Sequence, residues 1–203
     1  MSVNDGLFRL LYVCVGNVCR SVLAERMTRL ELDRGSPCAG RFRVGSAGTR
    51  GLEQAPMHPF TARLLADRAA DVSGFTARRL TADLVAGADL VLTATVRERD
   101  DVLGVVPSAI RRTFTIKEFA RLTARSQVTD ADPVARARLV VADALRWRGR
   151  VPSTLDGDPQ PDDILDPDRT VEAFAACAAV VERAVRTIVP ALCGSALTGA
   201  RDA

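Results

Sequence analysis

The 203-residue chain holds one lysine (Lys117), one histidine (His58), one tryptophan and one tyrosine, and aromatic residues make up only 4% of it. Each scarcity removes a class of function. The positive charge is almost all arginine, interleaved with Asp and Glu to a net +3, so no basic stripe exists and nucleic-acid partners are not expected. A single histidine, without Cys-x-x-Cys or another ligand at metal spacing, argues against a zinc site. No apolar run reaches the roughly 20 residues of a membrane-spanning helix. The apolar stretch from Phe8 to Val15 is short, carries Arg9 and precedes no small-residue cleavage site, so it does not read as a secretory signal. A cytoplasmic protein with no membrane partner is therefore expected. Five cysteines (Cys14, Cys19, Cys38, Cys177, Cys193) are an odd number in a chain large enough to bury a core unaided, and reduced thiols are the expectation.

What the chain does have is the balance of an ordinary globular protein, 47% hydrophobic and 26% charged. It reads as a single domain over residues 1–193, with a flexible tail at 194–203. Leu7–Val13 is a short apolar run of the kind found in strands buried on both faces. Leu23, Met27 and Leu30 then repeat at helical spacing, closed by Gly35 and Pro37. Further strands are expected at Phe42–Ser46, Ala88–Thr93 and Thr113–Ile116. Helices are expected at Phe60–Arg68, Thr81–Ala86, Val96–Val106, Pro133–Arg148 and Thr170–Leu192. The Pro133–Arg148 helix would carry Val134, Leu139, Val140, Ala144 and Trp147 on or near its apolar stripe. Strands alternating with helices predict an α/β fold, a four-stranded parallel sheet in three layers with helices on both faces.

The informative segment is Cys14-Val15-Gly16-Asn17-Val18-Cys19-Arg20-Ser21. A cysteine with an arginine six places later means little alone, for Cys177 and Arg183 share that spacing inside a continuous helical pattern. There Cys177 reads as a small core residue. The first copy instead follows a buried strand and opens a helix, at the carboxyl end of the sheet where ligands bind. Gly16 and Asn17 tolerate positive φ, allowing a tight loop whose amides point inward as an anion nest. Such a nest would lower the pKa of the Cys14 thiol and cradle a phosphate, with Arg20 as a planar fork on its oxygens. The Ser21 hydroxyl would donate to the Cys14 sulfur and cap the helix.

The string VCVGNVCRS resembles the active-site loop of the low-molecular-weight protein tyrosine phosphatases. The likeness continues through Gly45–Thr49, Ala88–Val91, Phe114–Phe119 and the Asp163-Ile164-Leu165-Asp166-Pro167 segment. The resemblance implies that Cys14 is the nucleophile and that the backbone of Val15, Gly16, Asn17, Val18, Cys19 and Arg20 binds phosphate. Ser21 and Asn17 would hold the loop, with Ser46 bracing Asn17. Asp166, followed by Pro167, would be the general acid and then the base that activates water. Asp163 is the other candidate in a stretch crowded with aspartates. No metal or cofactor is implied, and the partner would be a phosphorylated protein or a small phosphoester. In some relatives the residue at Cys19 forms a reversible disulfide with the nucleophile.

The chain also departs from the family. Val22 and Phe75 stand where a proline and a histidine are usual. The substrate-pocket positions that are aromatic in phosphotyrosine-specific relatives are Leu52, Asp168 and Arg169 here. Trp147 or Phe60 would supply an aromatic wall if the segment of about residues 120–160 folds over the mouth as a lid; otherwise its helix covers the sheet. Without that wall, Arg169 and Arg50 suit a polar phosphoester or an acidic peptide. A thiol-dependent arsenate reductase shares this loop. The scattered Cys38, Cys177 and Cys193 disfavour an internal thiol relay but leave an external thiol open. A silent phosphate-binding protein is the remaining alternative.

Overall fold

The computed structural model describes residues 6–34, 38–153 and 161–194; Gly35, Pro37 and the tail from residue 195 lie outside them. In chain order the elements are β1 (Phe8–Cys14), α1 (Arg20–Asp33), β2 (Phe42–Gly48), α2 (Pro59–Ala66), α3 (Ala82–Ala86), β3 (Leu90–Thr93) and α4 (Val96–Val105). A 3-10 turn at Pro107–Arg112 leads into β4 (Thr113–Thr115), α5 (Ile116–Thr123), α6 (Pro133–Trp147) and α7 (Val171–Cys193).

The four strands are all parallel, in the order β2-β1-β3-β4. Successive side chains of a strand face opposite ways, and β1 divides accordingly. Leu10, Tyr12 and Cys14 enter the larger core under α1, α5 and α7. Leu11 and Val13 enter a smaller core with Val85 of α3 and Val102 of α4. This is the expected α/β architecture with helices on both faces. The chain leaves β1 toward β2 on one side and returns to β3 on the other, so the carboxyl end of β1 sits at the sheet's switch point.

Helix α5 was not anticipated. Ile116 ends the strand pattern by opening the helix, because Thr115 and Glu118 form a reciprocal capping box. That Thr-x-x-Glu spacing was legible in the sequence.

Helix α6 lies at the foot of the sheet, not over the mouth. Arg138 pairs with Asp89 just before β3, Arg148 donates to the Thr113 carbonyl at the start of β4, and Asp132 pairs with Arg41 just before β2. All three anchors are at amino ends of strands, so the lid reading gives way to a helix covering the sheet. The buried stripe of α6 is Val134, Ala137, Val140, Val141 and Ala144. Leu139 and Trp147 lie outside it and are about half exposed.

The expectation of five reduced thiols is also corrected. Cys38 and Cys193 form a disulfide, their Cα atoms 5.6 Å apart and 155 residues apart in sequence. Helix α7 carries Cys193 back to the segment preceding β2, a meeting that cysteine parity cannot reveal. Cys14, Cys19 and Cys177 remain free, and all three are buried.

Candidate active site

The loop after β1 turns its carbonyls outward. Those of Cys14, Val15 and Gly16 accept from the amides of Thr49, Arg50 and Leu52, and that of Val18 accepts from His58. Peptide planes fixed this way direct their N–H groups inward, toward the side of the loop that holds the Cys14 sulfur. Asn17 makes the turn with φ of 56°, the left-handed conformation that asparagine tolerates. The loop then runs into the amino end of α1, where the helix dipole is positive.

Side chains lock this shape. Ser21 Oγ lies 3.0 Å from Cys14 Sγ. Asn17 Nδ2 donates to Ser21 Oγ at 3.0 Å and to Ser46 Oγ at 2.8 Å, while Asn17 Oδ1 accepts from the Arg78 amide at 3.0 Å. Ser46 in turn donates to Glu25, whose other oxygen pairs with Arg29 at 2.8 Å. Ser46 thus links Asn17 of the loop to Glu25 of α1. Glu25 and Arg78 were missed, although Ser21, Glu25 and Arg29 fall four residues apart on one face of α1.

Gly48 is packed against the same loop. A Cβ there would lie 2.4 Å from the Val15 carbonyl oxygen and 2.9 Å from the Asn17 nitrogen, both backbone. Gly48→Ala is therefore expected to cost roughly 1–3 kcal/mol of stability and to lower kcat by displacing the loop. Thermal unfolding together with steady-state kinetics checks both effects.

Arg20 is 3% exposed. Its Nη1 donates to the Ile164 carbonyl at 3.1 Å and lies 3.3 Å from Glu98 Oε1. Asp166 Oδ1 is 3.0 Å from Arg20 Nε but off the N–H direction, so the attraction is coulombic and that N–H has no hydrogen-bond acceptor. Glu98, buried and also bonded to the Thr95 hydroxyl, is a third charged residue that sequence reasoning missed. Only the fold brings α4 against the start of α1.

The Asp163–Pro167 segment is tied above the loop. Ile164 N–H donates to the Ala94 carbonyl at 2.8 Å, and Lys117 Nζ donates to the Asp163 carbonyl at 3.2 Å. The Asp163 carboxylate accepts from the Val96 amide at the amino end of α4, at 2.8 Å, so it is committed there. The Asp166 side chain is 72% exposed on the Arg20 side.

The sequence reading predicted a lowered Cys14 pKa. Burial instead pushes this thiol above its ordinary value. The Arg20 charge, the Ser21 hydroxyl and the backbone N–H groups of Ser21 and Asn17 all act downward, as expected of the nest, without offsetting the lost hydration.

Of the three positions expected to line the pocket, Leu52 lies over Gly16 and is 56% exposed. The Asp168 carboxylate instead accepts from the hydroxyl and amide of Thr170, the residue that caps α7, and these bonds hold its pKa below the usual range. Arg169 is exposed. Phe60 belongs to a ring cluster with His58 and Phe174, the His58 and Phe174 rings stacked at 4.4 Å. The cluster flanks the loop at Val18, whose carbonyl accepts from His58 N–H.

A thiol at the switch point of a parallel sheet, ringed by amides and an arginine, defines a cysteine-based phosphatase. Residues 9–141 match the family described as low molecular weight phosphotyrosine protein phosphatase, and the chain belongs to that family. It is 30% identical over 136 residues to the probable low molecular weight protein-tyrosine-phosphatase EpsP of Ralstonia nicotianae, spanning 67% of this chain and 85% of EpsP. Among solved structures it resembles the Erwinia amylovora tyrosine phosphatase AmsI, with a TM-score of 0.64 and 21% identity, over 91% of this chain and 93% of AmsI. The YwlE arginine phosphatase of Geobacillus stearothermophilus is as similar, with a TM-score of 0.64 and 22% identity over 91% and 92% of the two chains. No helix among the described residues is long and apolar enough to cross a membrane.

Proposed function

We propose that this chain hydrolyses phosphotyrosine on proteins through a phosphocysteine at Cys14. The observation that carries the reading is the convergence of Cys14 Sγ, Ser21 Oγ at 3.0 Å and the buried Arg20 guanidinium at one loop, with Asp166 beside it. Inward amides and Arg20 would hold the phosphoryl oxygens as charge shifts among them. The Ser21 hydroxyl would stabilise the Cys14 thiolate as it leaves. Asp166 would protonate the departing phenol oxygen and then deprotonate the attacking water. Cys14 must stay reduced for this chemistry, which favours the cytoplasm. There the Cys38–Cys193 pair would be exposed to reduction.

A second reading, a phosphoester without an aromatic ring, is favoured by Leu52, Asp168 and Arg169 in the places where an aromatic clamp is usual. The test is hydrolysis of p-nitrophenyl phosphate in the presence of a chelator, followed by peptides carrying phosphotyrosine, phosphoserine or phosphoarginine. Metal-free turnover with preference for phosphotyrosine is the expected result. Absence of hydrolysis on every substrate, or preference for phosphoarginine with its P–N bond, would sink the proposal, and preference for the phosphoserine ester would move it to the second reading.

A further inference from the structure

Beside the smaller core, a hollow of about 230 Å³ opens against the edge strand β2, bordered by α3 and the approach to β3. Alternate side chains of a strand share a face, and Arg9 of β1 and Arg43 of β2 are register partners. Both therefore emerge on the side where Leu11 and Val13 enter that core. Gly45, the next residue of β2 on this face, has no side chain, and Arg78 takes the space. A Cβ on Gly45 would lie 2.6 Å from Arg78 Nη2. Arg9, Arg43 and Arg78 thus line one hollow, together with the apolar Leu11, Leu84 and Ala88.

Its charge is unbalanced. Three other hollows on the molecule also contain arginines, but each includes a carboxylate: Asp162 beside α5, Asp33 at the end of α1, and Glu182 between α1 and α7. No carboxylate is found among the described residues of this one. Arg43 is exposed and has no hydrogen-bond or ion-pair partner among the described residues. The Arg78 side chain is held through Nε, which donates to the Ser46 carbonyl at 2.7 Å, leaving its Nη atoms for a ligand. Asp89, next to Ala88 in sequence, is already engaged by the Arg9 amide at 2.8 Å and by Arg138 at 3.3 Å.

We propose that this hollow is a second oxyanion site, which binds a phosphoryl group among Arg9, Arg43 and Arg78. Guanidinium forks match the oxygens of a phosphoryl group two at a time, and positive charge without a counter-charge favours a dianion. Leu11, Leu84 and Ala88 offer an apolar floor to any organic part of the ligand. The phosphoryl group comes either as free phosphate or on a small organic phosphate.

Arg43 is the residue to change. Arg78 also holds the catalytic loop, its amide donating to Asn17 Oδ1 at 3.0 Å, whereas Arg43 touches nothing there. Nitrogen-15 spectra of the full chain read the two sites apart, through Gly16 in the catalytic loop and Gly45 and Gly87 in the hollow. Inorganic phosphate is expected to shift all three signals in the wild type. In Arg43→Gln, binding followed at Gly45 and Gly87 should weaken about 10-fold or more, with the Gly16 response and p-nitrophenyl phosphate turnover unchanged. Arg43→Lys, which keeps the charge without the fork, should fall between them. Arg20→Ala should weaken the Gly16 response and leave the hollow as it was. Phenylphosphonate, whose phosphorus–carbon bond is not hydrolysed, separates the two sources. Tighter binding than phosphate at Gly45 and Gly87 identifies an organic phosphate, and equal or weaker binding identifies free phosphate.

Gly45 and Gly87 signals that stay still in the wild type, or that respond equally in Arg43→Gln, would overturn the proposal. So would shifts that disappear in Arg20→Ala, because these would be transmitted from the catalytic loop. The result does not depend on Cys14 being the nucleophile.

Discussion

Cys14→Ser is expected to lower phosphatase turnover by roughly four or more orders of magnitude while the folded protein still binds inorganic phosphate. The loop's shape comes from outward carbonyls and from the Asn17–Ser46–Glu25 bonds, none of which uses the sulfur. A serine in its place keeps the cradle but is not ionised at neutral pH, so it supplies no nucleophile. Calorimetric titration with phosphate and p-nitrophenyl phosphate kinetics separate the two roles; activity surviving the substitution would exclude Cys14. The thiol's titration gives a further check. Burial raises its pKa and Arg20 lowers it, so the thiolate fraction, read as the rate of alkylation by iodoacetamide, climbs as pH rises through that raised value. In Arg20→Ala the downward pull is lost, and the curve is expected to shift to still higher pH.

Asp166→Asn is expected to slow hydrolysis by roughly 100-fold or more, with a loss that grows as the leaving group becomes more basic. A poor leaving group such as phenol depends on protonation, whereas p-nitrophenol departs readily without it. Comparing phenyl phosphate with p-nitrophenyl phosphate therefore reads the acid role directly. An equal loss on both substrates would make Asp166 a binding residue alone. Asp163→Asn should not reproduce the leaving-group dependence, because that carboxylate is held by the Val96 amide and only helps to anchor the segment. The attraction between Asp166 and Arg20 across 3.0 Å also means that an arriving phosphate competes for the same guanidinium. Asp166→Asn should accordingly bind phosphate at least as tightly as the wild type.

Much of the loop could be read in advance because its chemistry is local. A buried strand, a glycine and an asparagine able to turn, a helix start and an arginine within eight residues dictate a nest wherever they occur together. The Asn17 φ of 56° and the Ser21 contact with Cys14 follow from that order alone. The alternation of apolar runs and helical stripes determined the parallel α/β sheet for a comparable reason: periods of 2 and 3.6 residues are properties of the chain. The choice between Asp163 and Asp166 lies at the boundary. Pro167 singled out Asp166, and the two carboxylates do differ in commitment, but only the position of α4 explains why.

What the tertiary structure decided depends on residues distant in sequence meeting in space. The charge of Glu98 reaches Arg20 because α4 packs beside the amino end of α1. The Asp168 carboxylate is taken up by the hydroxyl and amide of Thr170, the residue that caps α7, so the path of the chain into that helix decides its partner. Helix α6 covers the foot of the sheet because Arg138 and Arg148 find partners at strand beginnings, not at the mouth. The raised Cys14 pKa is likewise a property of burial, which no spacing of residues specifies. The Cys38–Cys193 bond arises from the path of α7 across the sheet. Local order along the chain determined the loop and its fold class; the charges and walls around that loop were set by which helices the core brings together, since burial and long-range contact exist only once the chain has folded.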